Sequence, residues 1–157
     1  MSKISAALGD RYEAALTQIR TRAFTMGGHE FKVRIPLSAE MDAILERIAV
    51  TPDAEVAKRL EKMTSALRDN PPENVVIKED GDVEVDGRST REVVNSVLRM
   101  ENRVVEYVRL LVPVNGNLDD ITYAEIESEW PLSVQLALLE AIDEVIQPGY
   151  KEARKNS

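Results

Sequence analysis

The feature that most restricts the fold is a long apolar segment near the end of the chain, EWPLSVQLALLEAIDEVIQ at residues 129–147. Ten of the seventeen residues in 131–147 are aliphatic. On a helical wheel the polar residues fall within an arc of roughly 100°, and nearly all the rest of the circumference is apolar apart from Gln135. A helix that covers one core surface needs an apolar stripe only a little over 100° wide. The segment is therefore predicted to be a helix that is covered on more than one side.

Two interpretations of this width stay open. In the first, the helix lies in the centre of the fold and is covered by the other amphipathic helices of the chain. In the second, part of the apolar arc binds a second subunit or another protein, because large exposed apolar patches mark interaction sites. Trp130 would then be an anchor, since tryptophan is enriched among interface hot spots. The predicted partner-binding residues are Trp130, Pro131, Leu132, Leu136, Leu139, Ile142 and Ile146.

Length and composition predict one globular domain over residues 1–157, with a flexible C-terminal tail from about residue 149. The chain has no cysteine, which excludes disulfides, thiolate metal sites and cysteine nucleophiles. No apolar run approaches the roughly 20 residues of a membrane helix, so a soluble cytoplasmic protein is expected. A formal net charge of −8 argues against nucleic acid as the main ligand, because phosphate contacts need clustered lysine and arginine.

Two β-hairpins are predicted from alternating patterns. Residues 29–35 alternate apolar and charged side chains, which is typical of a half-buried strand. Gly27-Gly28 supplies the positive φ angles of a two-residue turn, and in that register Phe24 lies opposite Phe31. A second hairpin in NVVIKEDGDVEVDG is predicted to turn at Asp80-Gly81.

The remainder of the chain is predicted to be mainly helical. The fold class is therefore α+β, predominantly helical, with about five helices and one or two short β-hairpins. Predicted helices cover residues 3–21 (with a weak point at Gly9), 38–50, 51–70 and 89–112, and further ones open at Thr122 and Pro131. Ser89 with Glu92, and Thr122 with Glu125, form capping boxes. Along the longest helix the apolar stripe consists of Val93, Val97, Met100, Val104, Tyr107 and Leu111.

The polar residues predict no enzyme, no metal site and no cofactor. The acidic run that starts at Asp82 places acids and a glycine like a calcium loop, but Val93 occupies the twelfth position, where a carboxylate is needed. A solvated hairpin is favoured there. His29, the only histidine, lies in the strand pattern near a turn and has no neighbouring nucleophile or ligand set.

Two segments carry a resemblance to a known family. They are FTMGGHEFKVRIPLSAEMDAI, a Gly-Gly hairpin entering a helix, and IESEWPLSVQLALLEAIDEVIQPGYKEARKNS, and together they cover about a third of the chain. Both resemble the tail assembly chaperones of bacteriophages with long, non-contractile tails. The resemblance implies a non-enzymatic protein of the host cytoplasm, absent from the mature virion. Such a protein binds the tape-measure protein and brings tail-tube protein to it, and self-association into a homo-oligomer is compatible with this role.

The resemblance also implies a second, longer product, because this family is commonly made in two lengths through a ribosomal frameshift. Arg154-Lys155-Asn156 can be encoded as AGA AAA AAC, which contains the slippery run A AAA AAC. An AAG codon for Lys155 would exclude that site. The alternative function is a structural virion component, or a small adaptor protein that binds one partner through the apolar helix.

Overall fold

The computed structural model describes residues 2–148, so the predicted tail from about 149 and the Arg154-Lys155-Asn156 segment lie outside the described residues. Within residues 2–148 the chain forms seven α-helices and two small antiparallel sheets, which confirms the α+β, predominantly helical class. The helices are α1 (Lys3–Leu8), α2 (Asp10–Ile19), α3 (Ser38–Ala49), α4 (Asp53–Asp69), α5 (Thr90–Val108), α6 (Tyr123–Glu129) and α7 (Leu132–Ile146). The strands are β1 (Thr21–Met26), β2 (His29–Arg34), β3 (Val75–Ile77), β4 (Val83–Val85) and β5 (Arg88–Ser89).

The described residues group into two compact units. One unit consists of the residues up to Ile44 together with those from Val104 on, and the other is Leu45–Arg103. The single domain over residues 1–157 stays a prediction. None of the helices within residues 2–148 is long and apolar enough to cross a membrane.

The first predicted helix is interrupted at Gly9. This residue has φ +86° and ψ −175°, a conformation that side-chain-bearing residues avoid, and its N–H donates to the Ser5 carbonyl to end α1. The continuous helix over residues 3–21 was therefore a wrong prediction, and Gly9 is one reason why the structure has more than five helices. No residue of α2 is buried. The two N-terminal helices therefore contribute little to the core.

The first hairpin has the predicted register. β1 and β2 are antiparallel with Phe24 opposite Phe31, and the two rings stack with centroids 5.2 Å apart. His29 is opposite Met26 next to the turn, and its ring meets the Phe31 ring edge-on at 4.8 Å. This confirms the interpretation of His29 as a strand residue near a turn.

The far edge of β2 is covered by residues that follow α5. Val33 forms a bridge with Leu111, the Arg34 N–H donates to the Leu110 carbonyl at 2.9 Å, and the Val112 N–H donates to Lys32 at 2.8 Å. The Leu110 and Leu111 N–H groups still donate within the turn, but to carbonyls only three residues back, whereas the Leu110 carbonyl and the Val112 N–H bond to β2 instead of to a next helical turn. This is why α5 ends at Val108 rather than continuing to residue 112 as predicted.

Glu40 joins the start of α3 to the open end of the hairpin. Its carboxylate accepts bonds from Arg34 Nη1 at 2.6 Å, Arg20 Nη2 at 2.8 Å and the Leu37 N–H at 3.3 Å. The Arg34 bond lowers the pKa most, partial burial opposes it, and the Leu37 and Arg20 bonds bring the pKa of Glu40 to about 2. The charged form is therefore favoured in the folded state.

This depressed pKa predicts an acid-dependent loss of stability. The Glu40 ion pairs stabilise the fold fully above about pH 4.5, and their contribution is lost as the pH falls from there through about 2. We expect Glu40→Gln to be less stable than the wild type by about 1 kcal/mol near neutral pH, since the pairs are partly exposed. Urea unfolding followed by circular dichroism at several pH values measures this difference. The difference should shrink toward pH 2, and Asp42→Asn, which removes an exposed carboxylate of the same helix, is the matched control for the loss of one negative charge.

In the unit Leu45–Arg103, α4 packs on α5 through a buried cluster of Val56, Val94 and Leu98. Arg59 donates two bonds to the Glu101 carboxylate, one of them from Nη2 at 2.7 Å. Glu101 is only 8% exposed, so this two-bond pairing supplies the compensation that a buried carboxylate needs. The same bond is the main cause of the raised pKa of Arg59.

The second hairpin also forms as predicted, with β3 antiparallel to β4 and Gly81 at φ +93° in the turn. A third strand that was not predicted, β5, pairs with β4. Asp82 follows the turn and is 7% exposed. Its carboxylate accepts bonds from the Val83 N–H at 2.8 Å, the Arg91 N–H at 3.0 Å and the Ser89 hydroxyl. Burial raises the pKa of Asp82, but these bonds outweigh it and the pKa is lowered.

The start of α5 therefore has two caps. The Ser89 hydroxyl accepts from the Glu92 N–H at 3.2 Å, which confirms the N-cap bond of the predicted capping box, and Asp82 accepts from the Arg91 N–H. The helix predicted over residues 51–70 begins at Asp53, with Pro52 at the cap position and no side-chain cap. Proline fixes a suitable φ angle there without a hydroxyl cap.

Candidate partner-binding surface

The segment before the apolar helix is positioned by the N-cap bond of the predicted capping box. The Thr122 hydroxyl accepts from the Glu125 N–H at 3.3 Å and donates to the Glu125 carboxylate at 3.1 Å, so α6 begins as predicted. The Trp130 N–H donates to the Ile126 carbonyl at 2.9 Å. Pro131 then separates α6 from α7, because proline lacks the N–H that a continuous helix would require.

Part of α7 belongs to the core. Leu138 and Ile142 are fully buried and Leu139 is 7% exposed. The helix packs against β1, and the Tyr107 hydroxyl donates to Asp143 at 2.7 Å. This face of the helix is therefore covered by the chain itself, and the contact is with strand β1 where the first interpretation expected other helices.

Gln135, the polar exception on the apolar arc, holds α6 against α7. It is 2% exposed, and its Oε1 accepts from the Tyr123 hydroxyl at 2.8 Å. Its Nε2 donates to the Trp130 carbonyl at 2.9 Å. Both polar atoms of the buried amide are thus satisfied, which removes most of the cost of burying it. Sequence analysis did not anticipate this role, although a lone amide among aliphatic residues was the signal for it.

Another part of α7 is open to solvent. Leu132 is 51% exposed and Leu136 is 47% exposed, Pro131 is exposed, and Trp130 is half-buried. The four residues Trp130, Pro131, Leu132 and Leu136 are called the Leu132 surface below. The two leucines are one turn apart and therefore lie side by side. The buried residues Gln135, Leu138, Leu139 and Ile142 span about 100° of the helical wheel, so the core face is complete without these leucines.

The predicted partner-binding set is thus divided by the fold. Leu139 and Ile142 are core residues, and Ile146 is half-buried near the end of α7. The remaining four residues form the Leu132 surface. A helical wheel identifies the apolar arc but does not show which sector the rest of the chain covers, and this is why the prediction joined core and surface residues.

The chain was also compared with protein families, curated sequences and solved structures. No family model, curated protein or solved structure matches it.

A second apolar surface lies on α5 within the unit Leu45–Arg103. Val93 is 40% exposed and Val97 is 37% exposed, and with half-buried Met100 they line a shallow depression of about 610 Å3. The predicted apolar stripe of this helix was wrong at these positions, because α5 turns Val94 and Leu98 toward α4 instead. A neighbouring cleft of about 740 Å3 between α4 and α5 has mixed charge along its lining.

Three carboxylates of the acidic hairpin at residues 79–87 take part in its own structure. Asp80 accepts from the Asp82 N–H at 2.9 Å, Asp82 caps α5, and Asp86 accepts from the Asn74 amide at 3.1 Å. Among residues 2–148 there is no group of three His, Cys, Asp or Glu side chains placed to hold a metal ion. The strand pairing confirms the predicted hairpin.

Proposed function

We propose that the protein is a non-enzymatic tail assembly chaperone of a bacteriophage with a long, non-contractile tail. It binds the tape-measure protein and assists assembly of the tail tube, with tail-tube protein as its second partner. The observation that supports this proposal best is the Leu132 surface, which lies within the segment that resembles the chaperones. Its two half-exposed leucines belong to a helix whose core face is already complete.

Association would depend on burial of this apolar surface. Burial contributes about 25 cal/mol per Å2, so covering one half-exposed leucine contributes on the order of 1 kcal/mol before ordering costs. Two leucines give only a weak contact. A long apolar client offers many such sites along its length, and several chaperone copies binding side by side would keep it from aggregating.

The proposal includes a location and a second product. The protein acts in the host cytoplasm and is absent from the mature virion. It is the short product of a programmed frameshift at the codons of Arg154-Lys155-Asn156. The nucleotide sequence of these codons tests the frameshift directly, since an AAG codon for Lys155 removes the slippery run.

Co-expression with the tape-measure protein encoded in the same genome tests the main claim. We expect the wild type to keep that protein in the soluble fraction and to purify with it. The double variant Leu132→Asp/Leu136→Asp should recover at least about ten-fold less client, because two carboxylates replace the apolar contact. The amount of client in the supernatant and in the affinity eluate is the measurement.

A matched control uses two aliphatic residues of similar exposure elsewhere, Leu45 at 51% and Val50 at 58%. Leu45→Asp/Val50→Asp carries the same added charge and should retain the client, and circular dichroism should show both double variants folded. Equal recovery with both would contradict the proposal. Finding the protein in purified virions would favour the alternative, a structural virion component.

A further inference from the structure

The negative charge of the chain is concentrated in the segment that contains the Leu132 surface. Between Arg109 and Lys151 there are eight acidic residues and no lysine or arginine. The remaining residues contain 20 acidic and 20 basic side chains, so the formal net charge of −8 comes entirely from this segment. The net charge alone argues only against nucleic acid as the main ligand. Its position beside exposed leucines gives it a more specific meaning.

Three of these carboxylates lie on α6, directly before the Leu132 surface. Glu125, Glu127 and Glu129 are all exposed. Glu129 precedes Leu132 by three residues, which limits the separation of their Cα atoms to about 11 Å. The bonds of Gln135 to Tyr123 and to the Trp130 carbonyl fix α6 against α7. Glu129 thus lies next to the Leu132 surface, and Glu125 and Glu127 are exposed on the same short helix.

We propose that the Leu132 surface binds a basic amphipathic helix, with aliphatic side chains on Leu132 and Leu136 and with lysine or arginine facing the carboxylates of α6. This deepens the proposed function and rests on it, because it assigns a chemical class to the client segment. Apolar burial supplies affinity, and the opposite charges supply orientation and a faster encounter. The methylene stems of lysine and arginine also cover apolar surface.

The same charges disfavour a second copy of this chain as the occupant. A symmetric pair would bring the same surface of both copies together, and each copy would present α6 carboxylates to those of its partner. Like charges across an interface cost free energy, and acidic helices in general are rejected for the same reason. A basic helix is therefore the occupant that the surface selects.

Trp130 is the only tryptophan, so its fluorescence reports on this surface alone. The test uses two synthetic helices of about 20 residues without tryptophan, with identical Leu/Ala faces and either lysine or glutamate on the opposite face. We expect the lysine peptide to change the Trp130 emission and to bind the full chain at least about ten-fold more tightly than the glutamate peptide. Its affinity should fall as salt is raised, because the charges are exposed.

Reversing the charge of two α6 glutamates tests whether these carboxylates cause the preference for the lysine peptide. Glu127→Lys/Glu129→Lys should weaken binding of the lysine peptide by about ten-fold and strengthen binding of the glutamate peptide. The matched control Glu73→Lys/Glu79→Lys changes the net charge equally at exposed positions of the unit Leu45–Arg103 and should change either affinity less than about three-fold. Leu132→Ser/Leu136→Ser should weaken the binding of both peptides.

Equal affinity for the two peptides, or equal effects of the two charge-reversal pairs, would overturn the inference. Its failure is separable from failure of the proposed function. Suppose that Glu127→Lys/Glu129→Lys leaves recovery of the tape-measure protein unchanged while Leu132→Asp/Leu136→Asp abolishes it. The proposed chaperone function is then supported, and the proposal that the bound segment is a basic helix is wrong. If the protein prefers the lysine peptide but does not bind the tape-measure protein, the proposed specificity of the Leu132 surface is correct and the proposed identity of the client is wrong.

Discussion

Replacement of Leu138 by alanine should lower the free energy of unfolding by about 3 kcal/mol, because this side chain is fully buried and its removal leaves a cavity in the core. The same replacement at Leu136, two residues earlier on α7, should cost about 0.5 kcal/mol or less, because 47% of that residue is exposed. Urea unfolding followed by circular dichroism measures both values. The pair thus separates the core sector of α7 from the Leu132 surface.

The comparison has two informative failures. If Leu138→Ala lowers the free energy of unfolding by less than about 1 kcal/mol, Leu138 is not a core residue. A cost at Leu136 that matches Leu138 and grows with protein concentration would mean that a second copy covers the Leu132 surface, since oligomerisation makes apparent stability depend on concentration.

Asp82→Ala should also be strongly destabilising, by about 3 kcal/mol near neutral pH, because it leaves the Val83 and Arg91 N–H groups and the Ser89 hydroxyl without their acceptor. Glu79→Ala, at an exposed position of the same hairpin, is the matched control and should have little effect. Urea unfolding gives both free energies. Equal stability of the two variants would contradict the double cap at the start of α5.

The pH dependence of the Asp82 effect follows from its lowered pKa. A carboxyl group with a folded-state pKa below 3.8 stabilises the fold above that pH and loses this contribution as the pH falls through the folded-state pKa. The wild type and Asp82→Ala should therefore differ most above pH 4 and should converge in stronger acid.

Local signals predicted the elements of the fold well. The Gly27-Gly28 turn and the alternation around Phe31 fixed the register of the first hairpin, and the capping boxes at Ser89 and Thr122 placed the starts of α5 and α6. These features depend on residues only a few positions apart. The bridge between Val33 and Leu111 and the rotation of α5 toward Val56 depend on residues far apart in the sequence, and no local pattern contains them.

The candidate surface was predicted only in part for the same reason. The wheel of residues 131–147 identified Leu132 and Leu136, but it could not show that the chain itself covers Leu139 and Ile142. The sequence shows Gln135 only as a polar interruption of the apolar arc, because its hydrogen bonds to Tyr123 and to the Trp130 carbonyl depend on how α6 packs on α7. The acidic residues can be read from the sequence, but the proposal that they help to select a basic partner depends on knowing which leucines are exposed.

The order of the two units along the chain has a consequence for synthesis on the ribosome. Leu45–Arg103 is continuous in sequence, so it can fold as soon as it has left the exit tunnel. The other unit is assembled from both ends, and β2 cannot complete its pairing until Leu111 has been translated. The nascent hairpin therefore keeps one uncovered edge until the 77 residues from 35 to 111 have been made, and α7, which follows them, adds Leu138 and Ile142 to the core.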